Sequence, residues 1–161
     1  MPYQPAPWTS KHTGKTYPTI TQYDQKHLAL MVFFIVLCGI LVVAVKRLPG
    51  SVVKASRKVA GAIMGIITVA YYLWVLNPKR LVWDETAPFH ITDALRVITP
   101  LALGTGNPTA TAISYYWGLF LNPMALFFPD MAFVQDNKVL QEVAYWYFHM
   151  AASVVPVVLT F

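Results

Sequence analysis

Charge is what this sequence has least of. Only 12% of its 161 residues are Asp, Glu, Lys or Arg, about half the share of a soluble domain. Hydrophobic residues make up 57% and mean hydropathy is +0.50. So much apolar side chain has to face something other than water, which sets aside a soluble globular domain and points to lipid. Cysteine is nearly missing too: the single Cys38 lies inside an apolar run, which excludes a disulfide framework and a cysteine metal site. Four histidines (12, 27, 90 and 149) without cysteine partners make no recognisable ligand set, so neither metal nor cofactor is expected. His12 and His27 read as solvated residues of the N-terminal tail. A cleavable signal peptide is not expected, because the first apolar run starts at residue 28 and ends in Lys46 and Arg47 rather than at small residues. No internal repeat and no ring of like charges support a transporter or channel, which ranks last among the functions considered. The net charge of +5 does not suggest nucleic acid, since the basic residues cluster beside apolar runs as topology signals do.

What is there is a series of apolar segments. Residues 28–45 and 59–76 each lack any charge over 18 residues, close to the roughly 20 that cross a hydrocarbon core. Between them runs KRLPGSVVKASRK, with five Lys/Arg and no acid. Such a short basic loop, residues 46–58, belongs in the cytoplasm and puts the tail, residues 1–27, outside. Three lysines in that tail argue mildly the other way. Gly61 and Gly65 form a G-x-x-x-G frame that either admits a close helix neighbour or arises by chance. Tyr71, Tyr72 and Trp74 suggest an interfacial aromatic belt. Further spans are expected at about 91–103 (interrupted by Pro100), 109–128 (kinked at Asn122-Pro123) and 139–161. The fold class is therefore all-α: a polytopic transmembrane helix bundle occupying residues 28–161, with at least five spans and no soluble domain.

The few polar side chains form two stripes. Thr92, Arg96 and Thr99 share a helical face, Asp93 and Arg96 are spaced to pair, and His90 sits just before them. Glu142, Tyr145, His149 and Ser153 line one face of the last segment. Ionisable groups at membrane depth mostly face a bundle interior or an aqueous cavity. The two stripes are expected to face each other across a small polar chamber in the outer half of the membrane. A hydroxyl beside a histidine, with a carboxylate to orient the ring, is a minimal nucleophile–base arrangement. Arg96 can instead hold a lipid phosphate. On spacing alone, a structural Asp93–Arg96 pair and a purely interhelical His149 weigh about as much as the two functional readings together.

The stretches PFHITDALRVITPLALGTGN, YYWGLFLNPMALFFPD, FVQ and YWYFHMAASVVPVVLTF, in that order between Pro88 and Phe161, resemble the motifs of the YwaF-like bacterial membrane proteins and their eukaryotic relatives, the transmembrane protein 164 group. The resemblance implies a six-helix membrane bundle whose last helix follows Phe161, so that a truncated C-terminus is expected. It also implies a phospholipid acyltransferase with a catalytic cysteine and histidine. By position His149 matches the histidine, Asp93 the aspartate after the cysteine, and Thr92 the cysteine itself. A threonine hydroxyl is far more basic than a thiol and needs a well-aligned base and an oxyanion hole.

That departure tips the sequence toward a non-catalytic accessory or lipid-binding subunit of a membrane complex, with membrane lipids and other integral membrane proteins as partners. The alternative is an acyltransferase acting on phospholipid through Thr92 and His149. There, Asp93 or Glu142 orients the histidine and Arg96 or His90 holds the head group; the lipid-binding role draws on the same His90, Arg96 and Glu142.

Overall fold

The computed structural model describes residues 7–9, 14–17, 21–79, 81, 91–129 and 138–161. His12, His90 and the FVQ stretch lie outside them. Two antiparallel strands of two residues each, β1 (Trp8–Thr9) and β2 (Thr16–Tyr17), form a small ladder in the tail. Everything else of regular structure is helical. The helices are α1 (Gln25–Arg47), α2 (Gly50–Val75), α3 (Ile91–Thr105), α4 (Pro108–Tyr116), a π turn (Trp117–Leu121), α5 (Asn122–Phe127) and α6 (Lys138–Thr160). The residues that join α4, the π turn and α5 are all right-handed helical, so these three are one rod.

Among the described residues, three helices are long and apolar enough to cross a membrane: α1, α2 and α6. α3, with 15 residues, and the α4–α5 rod in its three pieces are shorter elements. Local chemistry explains the boundaries. Asp24 caps α1 by accepting the His27 N–H at 2.8 Å, and Lys46 and Arg47 close its last turn, where the helix dipole favours cations. Asn107 caps α4 ahead of Pro108, and Gly106, at φ 66°, reverses the chain after α3 in a conformation that costs glycine nothing. Pro100 does not end α3, which continues through it to Thr105.

α6 is the axis of the bundle. It packs against α1, α3, α4, the π turn and α5, while α2 lies along α3. α1 is peripheral: Val32, Phe33, Ile35, Val36 and Ile40 are all more than half exposed, as befits a surface wetted by acyl chains. Its attachment is at its beginning, where Leu30, Met31 and Phe34 meet a core of Leu126, Trp146 and Met150. His27 is at the centre of that attachment. Far from being solvated, it is 1% exposed and holds two bonds: Nδ1 accepts the Tyr23 N–H at 2.8 Å, so Nε2 carries the proton and donates to the Leu126 carbonyl at 2.8 Å. Tyr23 takes a left-handed φ of 60° where its N–H meets the ring.

The aromatic belt is only partly a belt. Tyr71 turns inward onto Phe148, with ring centroids 5.0 Å apart, and the Tyr72 hydroxyl donates to the Asp93 carbonyl at 3.0 Å. Of the two frame glycines, Gly61 is pressed against α3: a Cβ there would lie 2.6 Å from the Gly104 Cα and N. Gly65 has open space at the same position. Gly61→Ala is therefore expected to cost about 1–3 kcal/mol of stability through forced separation of α2 and α3, and Gly65→Ala close to nothing. A temperature ramp in detergent followed by size-exclusion chromatography measures both; an unmoved midpoint in Gly61→Ala would rule out this contact as a packing constraint.

Candidate functional site

In a helix each backbone N–H bonds the carbonyl four residues back, and a proline has no N–H to give. Three prolines sit within the helices facing the bundle centre, and the polar side chains of this region follow from them. Pro100 leaves the Arg96 carbonyl without its donor, and the Thr68 hydroxyl of α2 supplies one at 2.9 Å. At Pro123 the helix loosens into the π turn, and the Asn122 N–H reaches back to the Trp117 carbonyl. The Gly118 carbonyl then has neither the Asn122 donor four residues on nor a donor at Pro123 five residues on. The Ser153 hydroxyl of α6 donates to it instead, at 2.8 Å. Pro156 likewise frees the Ala152 carbonyl, which abuts Gly118 so closely that a Cβ there would collide with it. The hydrogen that glycine has in place of a Cβ points at that oxygen.

Ser153 begins a closed network. Its oxygen accepts from Asn122 Nδ2 at 2.7 Å, and the same amide nitrogen donates to the His149 carbonyl at 2.6 Å. With its nitrogen spent on two acceptors, Asn122 presents Oδ1 to His149 Nδ1 at 2.7 Å. An amide oxygen only accepts, so His149 Nδ1 is the protonated nitrogen and Nε2 keeps its lone pair. Asn122 and Ser153 are 1% exposed and His149 is 6% exposed. The Tyr145 ring covers the imidazole at a centroid distance of 4.4 Å, and its hydroxyl donates to the Ala125 carbonyl at 2.6 Å.

The sequence-predicted residues divide accordingly. The polar face of α6 is real, but at Tyr145, His149 and Ser153 it meets α5 and the π turn rather than the stripe on α3. Neither carboxylate orients His149. Asp93 pairs with Arg96 at 2.7 Å, and Glu142 pairs with Lys26 at the start of α1. The orienting group is Asn122, which the sequence offered only as a kink beside Pro123. A polar side chain in the middle of an apolar segment was the available signal. Arg96 stacks between aromatic rings, 4.9 Å from the Tyr71 centroid and 5.1 Å from that of Phe148, the neighbour of His149. Thr92 stands one turn before Arg96 on α3, partly exposed. Among the described residues no hydrogen bond joins it to His149.

Two donors on α3 lack partners: Arg96 Nε and the hydroxyl of Thr99, which is 1% exposed. Buried polar atoms left in this state are uncommon and mark places where water or a ligand completes the structure. No group of three or more metal-ligating side chains occurs among the described residues.

No curated protein and no solved structure matches the chain. The model of the TMEM164 family matches residues 22–161. That span runs from just before the His27 attachment through the Asn122–His149–Ser153 network to Phe161, and the chain belongs to the TMEM164 family.

Proposed function

We propose that this membrane protein transfers an acyl group from a lipid ester, with His149 as general base and Thr92 as nucleophile. The observation that carries this is the contrast between its two buried histidines. His27 spends both ring nitrogens on backbone partners and has nothing left for chemistry. His149 spends one, on an amide that fixes the tautomer, and holds Nε2 in the form that accepts a proton. A histidine aligned by a neutral amide is an established way to activate a hydroxyl or thiol. On α3, Arg96 Nε and the Thr99 hydroxyl are donors in want of an acceptor, suited to a phosphate or an ester oxygen.

The step balances as follows. The Thr92 oxygen attacks the ester carbonyl while its proton passes to His149 Nε2. The tetrahedral intermediate collapses, the bond to the lysolipid oxygen breaks, and His149 returns the proton to that oxygen. The acyl-threonine then transfers to a second hydroxyl by the same steps in reverse. Hydrogen bonds of this kind are often unformed without substrate, and Thr92, at the start of α3, is brought to the imidazole as substrate binds. In this proposal α3 and the α4–α5 rod also span the membrane, giving five spans. The basic loop 46–58 is cytoplasmic and the Thr92 end of the site faces outward.

A second reading is favoured by the missing Thr92–His149 bond: a non-catalytic lipid-binding or accessory subunit, with Arg96 as the head-group contact. Proteoliposomes with labelled phospholipid distinguish the two. For acyl transfer, His149→Ala is expected to lower turnover about 10²- to 10⁴-fold, and intact-protein mass is expected to show an acyl increment that Thr92→Ala abolishes. Turnover that persists in Thr92→Ala rules out the threonine. No turnover in any form, together with a stoichiometric membrane partner after gentle solubilisation, establishes the accessory role.

Asn122→Ala is expected to reduce kcat by about 10²-fold, the cost of a ring misplaced by roughly an ångström, while KM for the lipid stays within a few-fold. A proportional rise in KM with kcat unchanged would instead mean that Asn122 shapes the lipid site and does not orient the base.

A further inference from the structure

An opening among the described residues lies away from His149. A groove of about 940 Å³ lies between α1, α2 and α6, lined by neither Thr92, Arg96 nor His149. It extends from Lys26 and Glu142 at one end to Arg57 and Val158 at the other, and its walls are apolar, among them Leu37, Leu41, Met64, Met150 and Val154. At the Arg57 end it adjoins a second pocket of about 410 Å³, which shares Val45, Val53, Arg57 and Leu103 with the groove and adds Lys54 and Lys58. Lys54, Arg57 and Lys58 are spaced at three and four residues, so they stand on one face of α2.

We propose that this pair of cavities binds an anionic glycerophospholipid, its phosphate held by Lys54, Arg57 and Lys58 and its acyl chain laid along the groove. Charge complementarity identifies the head group. None of these three cations pairs with a carboxylate among the described residues. The described carboxylates are Asp24 and Glu142, at the far end of the groove, and Asp93, which is engaged by Arg96. Arg57 is held at the junction of the two cavities by its own bond to the Val158 carbonyl at 2.5 Å, and its Nε is buried without a partner. A basic pocket between membrane helices, continuous with an apolar slot, is a recurring lipid site.

The cations at one end and the apolar walls along the length match the two parts of a lipid, and an extended acyl chain is slim enough to enter. The site is separate from the proposed acyl-transfer centre and does not depend on it.

The test uses the full chain in mixed micelles, with phosphatidylglycerol and phosphatidylcholine of identical acyl chains offered together and the bound lipid read by native mass spectrometry. The unmodified protein is expected to retain phosphatidylglycerol in clear excess. Lys54→Gln and Lys58→Gln, both at exposed positions that leave the fold intact, are each expected to lower that preference about five-fold, and Arg57→Gln by at least as much. Lys79→Gln, at an exposed position that lines neither cavity, is expected to leave it unchanged. Equal retention of the two lipids, or an undiminished preference in Lys54→Gln and Lys58→Gln, overturns the proposal. So does efficient disulfide-linked dimerisation of Ala60→Cys in a Cys38→Ser background, because a second copy would then fill the groove.

Discussion

A carbonyl with no donor is expensive where there is no water, and Pro100, Pro123 and Pro156 each create one. The interior is arranged around that debt. Thr68 crosses from α2 to meet the Arg96 carbonyl freed by Pro100. Ser153 crosses from α6 to meet the Gly118 carbonyl stranded by the π turn and Pro123. Gly118 in turn brings its backbone against the Ala152 carbonyl freed by Pro156. These contacts join α2 to α3 and α6 to the α4–α5 rod at fixed heights. They resist sliding in a way that apolar packing between lipid-solvated helices does not.

The candidate site grows from the same constraint. Once Ser153 is committed to Gly118, its oxygen is free only to accept, and Asn122 Nδ2 becomes the donor. Once Asn122 Nδ2 is committed, Oδ1 is what remains for His149. The tautomer of the histidine is thus decided by a proline that never touches it. His27 makes the point by contrast: it bonds two backbone groups, which saturate it, and serves to moor α1.

This logic sets what the sequence could reveal. Long uncharged runs are visible without a fold, so α1, α2 and α6 emerge within a few residues of their boundaries, apart from the amphipathic first turns of α2. The polar face of α6 is visible because helical spacing alone puts Tyr145, His149 and Ser153 together. What that face meets is not visible, since it depends on which neighbour has a free carbonyl. Asp93 and Glu142 looked suited to a histidine, yet each lies nearer a cation, Arg96 or Lys26, and an ion pair outcompetes a neutral partner. His27 looked solvated because it borders the tail; the capping bond from Asp24 draws it into the first turn of α1 and so into the bundle. Gly61 and Gly65 are equivalent in the sequence frame. Only the descent of α3 past α2, which brings Gly104 to Gly61, separates them.

α6 presents two faces of different character. Tyr145, His149 and Ser153 look toward the α4–α5 rod, while Val143, Met150, Val154 and Val158 border the groove beside α1 and α2. The first face is locked by directional bonds at three successive positions, so α6 cannot rotate to relieve a mismatch on the second. α1 is moored near its start, through His27 and Lys26, and at its end by Lys46 over the Phe161 ring, 4.3 Å from its centroid; between the two it lines an open groove. A fixed wall on one side and a helix held at both ends on the other form a slot open along its middle, where an acyl chain can lie. The imidazole on the reverse of that wall stays where the proline-driven network holds it. The lipid site proposed beside α1 and the chemistry proposed at His149 therefore use opposite faces of one helix and need not disturb each other.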